Sequence, residues 1–254
     1  MLCISKESVF IFFLFLLGLF AGSFASAVTY RFIIDDKYTQ SYYECPACYA
    51  KILKIHSIPL ISYFLILRRH CFFCYAKIST IYPVIESLTA ILFVATYLVF
   101  KDDLIAFVFI LFVVYCLVIT SIIDLETYSV PNIFLLVLMI FGIFYCVLAS
   151  RTGLVSLASG VIIFLLMLGG GKLMSVVLKR DSIGFGDVVL IPVLALFLDV
   201  KFIPYFVMLA GILGIIFGKM WHRLTGSEQF PFIPPISIAF ICLSFYDKLT
   251  ASVL

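Results

Sequence analysis

Long apolar runs separated by short polar tips dominate the chain. The first run, residues 9–27, is about 19 residues long, enough to cross a bilayer with little tilt. A polar stretch over 31–77 follows. Seven further runs come after it, at 82–100, 104–123, 133–149, 154–178, 188–198, 202–221 and 235–246. The run at 188–198 is short for a span and predicts a helix that is tilted or partly buried among its neighbours. The pattern predicts an all-α integral membrane protein of about eight transmembrane helices, with one small loop domain after the first span.

Composition agrees with the pattern. Hydrophobic residues make up 65% of the chain and charged residues 12%, far from the balance of soluble domains, so a membrane class is implied. A net charge of +3 is too small to suggest a polyanion, and nothing points to nucleic acid. The placement of the charges says more. Seven Lys or Arg lie in 31–77 (Arg31, Lys37, Lys51, Lys54, Arg68, Arg69 and Lys77), against only Lys6 before the first span, which places that loop in the cytoplasm. With eight spans, the tips after 123, 178 and 221 fall on the same side. Lys172, Lys179, Arg180, Lys219 and Arg223 join the loop residues there, so 12 of the 17 basic residues are cytoplasmic and five are not. Ala25-Ser26-Ala27 resembles a leader cleavage site, but the strongly basic loop behind it favours a retained first span.

Two acids stand at the mouths of apolar runs. Asp124 closes the run 104–123, and Ile183-Gly184-Phe185-Gly186-Asp187 delivers Asp187 to the start of 188–198. Each alone reads equally well as a helix cap. Together, on one predicted face, they form a carboxylate pair able to share a proton, the apparatus of an aspartyl protease. Two rival readings use the same residues differently. A transporter would take acids as a proton or cation path, but would place them at mid-span; a non-catalytic scaffold would leave them as caps. Glu86, inside the second run, is a buried acid in need of a partner or a role.

Of eight cysteines, Cys3, Cys116, Cys146 and Cys242 lie in or beside apolar runs, where cysteine acts as a small hydrophobe. Cys45, Cys48, Cys71 and Cys74 form two C-x-x-C pairs separated by 22 residues, a tetrathiolate zinc spacing. Disulfides are the alternative, and a cytoplasmic loop favours thiolates. His56 and His70 are expected to be ordinary loop residues. A loop this small buries too little apolar surface to fold alone, so a metal would staple it. Gly169-Gly170-Gly171, and Gly211, Gly214 and Gly218, are expected to mark close helix packing or a kink rather than a phosphate loop.

An ordered set of these residues resembles the type IV prepilin peptidase family, bifunctional leader peptidases and N-methyltransferases of pilus and type II secretion systems. The set runs through Gly22-Ser23-Phe24, Tyr30-Arg31, the paired cysteines with Ile58-Pro59 and Ser62-Tyr63 between them, Leu67-Arg68, Ile78-Ser79, Tyr82-Pro83 and Glu86. It continues with Asp124, Thr127 and Val130-Pro131, then Gly184-Phe185-Gly186-Asp187 and Phe230-Pro231-Phe232. Asn132, Val189, Ile233 and Ser26 depart from the family's usual Asp, Lys, Gly and Asn. The resemblance implies Asp124 and Asp187 as catalytic acids and prepilins or pseudopilins as substrates. Cleavage after a glycine at the cytoplasmic face of the bacterial inner membrane would be followed by N-methylation from S-adenosylmethionine. It also implies a division at 1–81, the first helix with its zinc loop and an association with methyl transfer, and 82–254, a polytopic peptidase domain among membrane lipids.

Overall fold

The computed structural model describes residues 6–33, 48, 70–71, 73–77, 79–148, 153–178, 184–227 and 229–251. Among them are eight α-helices and no strand: α1 (Lys6–Ile33), α2 (Ile81–Phe100), α3 (Leu104–Thr127), α4 (Asn132–Leu148), α5 (Gly153–Leu178), α6 (Phe185–Ala195), α7 (Ile203–Thr225) and α8 (Ile233–Ala251). The expected all-α architecture holds, one helix to each apolar run. Five segments, those of α1, α2, α3, α5 and α7, are long and apolar enough to cross a membrane, while α4 and α6 are shorter.

The chain divides into two compact units, Met1–Leu98 and Val99–Leu254. In the first, α1 and α2 meet along a glycine stripe one turn apart. A Cβ on Gly18 would come within 2.5 Å of Ala90 Cα, and one on Gly22 within 2.7 Å of Glu86 Cα, so only glycine permits this backbone approach. Ser26 satisfies its hydroxyl one turn on by donating to the Gly22 carbonyl at 3.0 Å. Glu86 is buried at this contact.

The second unit is built around α6, whose residues Leu190 to Leu198, counting the turn that follows the helix, are all buried. A helix apolar all round belongs in the middle of a bundle, which explains its shortness: it needs neither a polar face nor a full span. It packs on α4 and α5, and Leu196 fills the space that Gly142 and Gly160 leave, where added Cβ atoms would lie 2.8 and 2.7 Å from its methyls. Helix α8 packs against both α3 and α7. Phe206, Phe240, Ile110, Leu117, Leu138 and Ile236 are fully buried in this unit. Helix α5 turns Leu154, Val161, Ile162, Leu165 and Leu166 outward, as a lipid-facing helix does.

The glycine expectation divides. A Cβ on Gly169, Gly170 or Gly211 would meet nothing within 4 Å among the described residues, so no close packing explains them. Gly214 and Gly218 do admit neighbours, and the neighbours are aromatic rings that matter to the acids.

Candidate active site

Helix α3 continues through Thr127, so Asp124 stands on its last turn rather than beyond its end. The helix stops at Tyr128, which takes a left-handed conformation (φ 53) and donates its N–H to the Asp124 carbonyl at 2.9 Å. The Asp124 side chain turns inward and is only 5% exposed. Its Oδ2 accepts the N–H of Ile233 at 2.9 Å, and the N–H of Phe232 also bonds to this carboxyl. The sequence of α8 explains why. A helix leaves its first N–H groups without internal partners, but Pro234 and Pro235 have no N–H to leave. Ile236 donates to the Phe232 carbonyl at 3.3 Å, so the donors that remain at this helix start are those that reach Asp124.

The approach to α8 is fixed by the rings of Phe230 and Phe232, packed edge to face at 6.0 Å between centroids. Phe232 lies where any side chain on Gly214 would be, and Phe230 would sit 3.2 Å from a Cβ on Gly218. Two glycines one turn apart on α7 therefore seat the Phe230-Pro231-Phe232 segment. That segment, matched in sequence only as a family element, is what carries two N–H groups to the first acid.

Asp187 is the third residue of α6, whose N-cap is Gly184. Its carboxyl folds back toward that cap and accepts a backbone hydrogen bond from Gly184, as acids at this position of a capping box do. A Cβ on Gly184 would stand 3.1 Å from its Oδ2, so the first glycine of the step leaves the carboxyl its room. The second glycine has another neighbour: a Cβ on Gly186 would come 2.9 Å from Val130 Cγ2. The Val130-Pro131 turn and the Gly-Phe-Gly-Asp step are thus pressed together, which brings the ends of α3 and α6 to one place. The two carboxyls are close enough for the charge of Asp124 to act on Asp187. Two carboxyls from different helices whose charges interact resist ionising together, an arrangement that can pair a neutral acid with a charged base.

Beside the acids, Tyr128 packs edge to face on Trp221 at 6.4 Å, and Trp221 stacks on Phe217 at 5.8 Å. Sequence reasoning singled out none of these aromatic partners, nor the N–H groups of Phe232 and Ile233.

In the first unit, Cys48, Cys71 and Cys74 lie together with every sulfur within 4.8 Å of the others, a group able to hold a metal ion. Cys45 lies outside the described residues, as do His56 and the Ile58-Pro59 and Ser62-Tyr63 elements. The Cys71-to-Cys74 turn has the form of a metal knuckle. Tyr75 adopts φ 58 and donates to the Cys71 carbonyl at 3.0 Å, Cys71 donates to the Ala76 carbonyl at 2.9 Å, and His70 pairs with Lys77. The sulfurs of Cys48 and Cys71 are 4.0 Å apart, close to the roughly 3.8 Å that tetrahedral zinc with about 2.3 Å bonds requires and far from a disulfide. The donor set and its spacing fit zinc.

An all-helical chain with several candidate spans that joins two carboxyls at the ends of different helices has the form of a membrane aspartyl peptidase. Comparison with known proteins gives the family. Residues 16–100 match the bacterial peptidase A24 N-terminal domain, and residues 110–219, which include both acids, match the type IV leader peptidase family. A type 4 prepilin-like proteins leader peptide-processing enzyme of Escherichia coli O78:H11 is 27% identical, over 91% of this chain and 92% of that one. Prepilin leader peptidase/N-methyltransferases of Pseudomonas aeruginosa and Bacillus subtilis are 28% and 27% identical, over 94% and 93% of this chain and 91% and 97% of theirs. No solved structure matches. The chain belongs to the type IV prepilin peptidase family.

Proposed function

We propose that the chain is a membrane aspartyl endopeptidase that removes the leader of type IV prepilins or pseudopilins at the cytoplasmic face of the bacterial inner membrane, and then N-methylates the new N-terminus. The observation that carries this reading is the approach of Asp124 and Asp187 at the ends of α3 and α6, where the charge of one acts on the other. The named activities of the relatives supply substrate class and methyl transfer. A prepilin presents its leader on the basic side of the membrane and its apolar stem to the lipid, so the scissile bond arrives near the acids.

The residues act as a unit. One carboxylate takes a proton from water, whose oxygen attacks the scissile carbonyl carbon; the other carboxyl gives its proton to the carbonyl oxygen. In the first unit Cys45, Cys48, Cys71 and Cys74 would hold zinc as a structural staple, with thiolates charged and close. The donor for methylation implied by the family is S-adenosylmethionine.

The test is to incubate the purified protein in detergent with a prepilin-like peptide, reading cleavage and methylation separately. Cleavage after glycine that requires both acids is expected. Intact peptide under conditions where the protein remains folded would overturn the reading.

A further inference from the structure

Below the Asp124 carboxyl, a second set of hydrogen bonds joins the same two helices. Ser237, one turn into α8, donates its hydroxyl to the Ile233 carbonyl at 2.9 Å, and its Oγ lies 3.0 Å from that of Ser121. A hydroxyl has one proton. Since Ser237 uses its own on Ile233, Ser121 must be the donor between the serines, and the order is fixed as Ser121 O–H to Ser237 Oγ, then Ser237 O–H to the Ile233 carbonyl. Ser121 stands one turn before Asp124 on α3. The two helices are therefore tied twice, once by Asp124 to the Ile233 N–H and once by Ser121 to Ser237, with Ile233 in both circuits. Ser237 is buried among apolar residues, where a hydroxyl without such bonds would be costly and an alanine would pack as well.

We propose that Ser237 and Ser121 are positioning residues for Asp124: by fixing Ile233 they hold the Asp124 carboxylate on backbone N–H donors as the general base, and leave Asp187 as the proton donor. The assignment rests on the peptidase reading above. It follows from what faces each acid. Asp124 meets the N–H groups of Ile233 and Phe232, which bond more strongly to a carboxylate than to a neutral carboxyl and so favour its ionised form. Asp187 accepts one N–H, from Gly184, and is half-buried, so it retains room for a proton and for an incoming carbonyl. The charged group acting on Asp187 is Asp124. Glu126 on α3 and Lys219, His222 and Arg223 on α7 are exposed, and Asp247 and Lys248 belong to the far end of α8.

The step balances. Asp124 takes a proton from water as the water oxygen bonds to the scissile carbon; the carbonyl π bond opens and its oxygen takes the Asp187 proton, giving a gem-diol. The C–N bond then breaks, the amine leaves with the proton held by Asp124, and one diol hydroxyl returns its proton to Asp187 as the new carboxyl forms. Both acids end as they began.

The experiment measures the pH profile of kcat on a prepilin-like peptide for the wild type, Ser237→Ala, Ser237→Thr, Ile233→Pro and Ile233→Val, with thermal unfolding in detergent as a check of folding. N–H donors favour the ionised form, so loosening them lets Asp124 take up a proton at higher pH. Ser237→Ala is expected to lower kcat about five-fold, the scale of one hydrogen bond, leave KM within about two-fold, and move the acidic limb to higher pH while the alkaline limb stays. Ser237→Thr, which keeps the hydroxyl, should restore the limb. If Ser237→Ala does not fold, the Ile233 pair decides: proline is accepted at a first helical position but deletes the donated N–H, whereas valine keeps it. Movement of the alkaline limb instead would reverse the roles of the two acids. A loss of kcat with neither limb moved, or no change at all, would make the serines purely structural and overturn the proposal. A wild type that does not cleave would count against the peptidase reading itself.

Discussion

Helix α3 carries an aspartate near each end, and the surroundings treat them differently. At its start Asp103 caps the helix, accepting the Ala106 N–H at 3.0 Å, and meets Lys248 at 3.1 Å. Partial burial would raise the pKa of this carboxyl, but the bonds from Ala106 and the Lys248 ammonium outweigh it and hold the group below its ordinary range. At the other end Asp124 also satisfies the start of a helix, that of α8, yet the charge it meets is another acid. On the peptidase reading proposed above, capping and chemistry are therefore not alternatives for an aspartate. The distinction lies in the second partner: a lysine favours the charged form of the first acid, while at the other end the charge of Asp124 disfavours ionisation of a second carboxyl, which the proposed mechanism uses as its proton donor.

The largest expected difference follows from that contrast. Asp124→Asn or Asp187→Asn should each lower cleavage of a prepilin peptide by about 10³-fold or more, since coupled groups fail together and the double substitution should be little worse than either. Asp103→Asn should leave cleavage within about two-fold. Near wild-type turnover in either dyad variant would erase the contrast between the two ends of α3.

The thiols of the first unit, proposed above as a structural staple, extend the comparison. Purified protein should carry one zinc per chain, by metal analysis, with Zn–S distances of about 2.3 Å by X-ray absorption. Cys45→Ser with Cys48→Ser should remove it. A structural zinc contributes on the order of ten kcal/mol to small zinc-binding peptides, so the loop should unfold and not merely soften. Methyl transfer is expected to fall more than cleavage when both are read on equal amounts of membrane-inserted protein. Cleavage lost while methylation survives would place the thiols with the acids.

A smaller effect should follow from Gly186. Gly186→Ala would put a Cβ 2.9 Å from Val130, so the turn must give way by several tenths of an ångström. A loss of about ten-fold in kcat at unchanged expression is expected from displacing Asp187, because positioning errors of this scale are costly to catalysis. Gly211→Ala, where nothing among the described residues lies within 4 Å, is the matched control.

Much of this was visible in the order of residues. The apolar runs gave the helices, because a segment that must cross lipid announces itself by length and composition. The acids were visible because ionisable groups are rare at such places, and the two C-x-x-C pairs because thiols at ligand spacing have few other uses. What remained hidden was carried by backbone or by absence of a side chain. The Ile233 N–H leaves no mark in its own residue type, although Pro234 and Pro235 after it narrow which N–H groups need a partner. Gly214 and Gly218 signalled close packing but not that Phe232 and Phe230 would fill the space. The same signal at Gly169 and Gly170 found no neighbour among the described residues. Asp103 attracted no attention beside Asp124, since the sequence shows neither the lysine 145 positions away nor its approach.

The finest test returns to Asp103, where cap and ion pair can be separated. Asparagine accepts the Ala106 N–H as well as aspartate does but has no charge for Lys248, whereas alanine loses both. The carboxyl is 42% exposed on the side-chain scale, so solvent screens the pair and its loss should cost only a few tenths of a kcal/mol. Loss of the cap should cost about 1 kcal/mol. Unfolding in detergent at neutral pH should then rank wild type slightly above Asp103→Asn and both clearly above Asp103→Ala. Acid sharpens the result. Because the folded carboxyl is held below its ordinary value, its charge-dependent stabilisation is present above the unfolded pKa, near 3.9, and is lost as pH falls through the lower folded value. The gap between wild type and Asp103→Asn should therefore close on acidification below about pH 4, while Asp103→Ala, lacking the cap at every pH, should stay below both. If asparagine were as harmful as alanine at neutral pH, the lysine and not the cap would hold the start of α3, and the two ends of the helix would differ by more than the second partner.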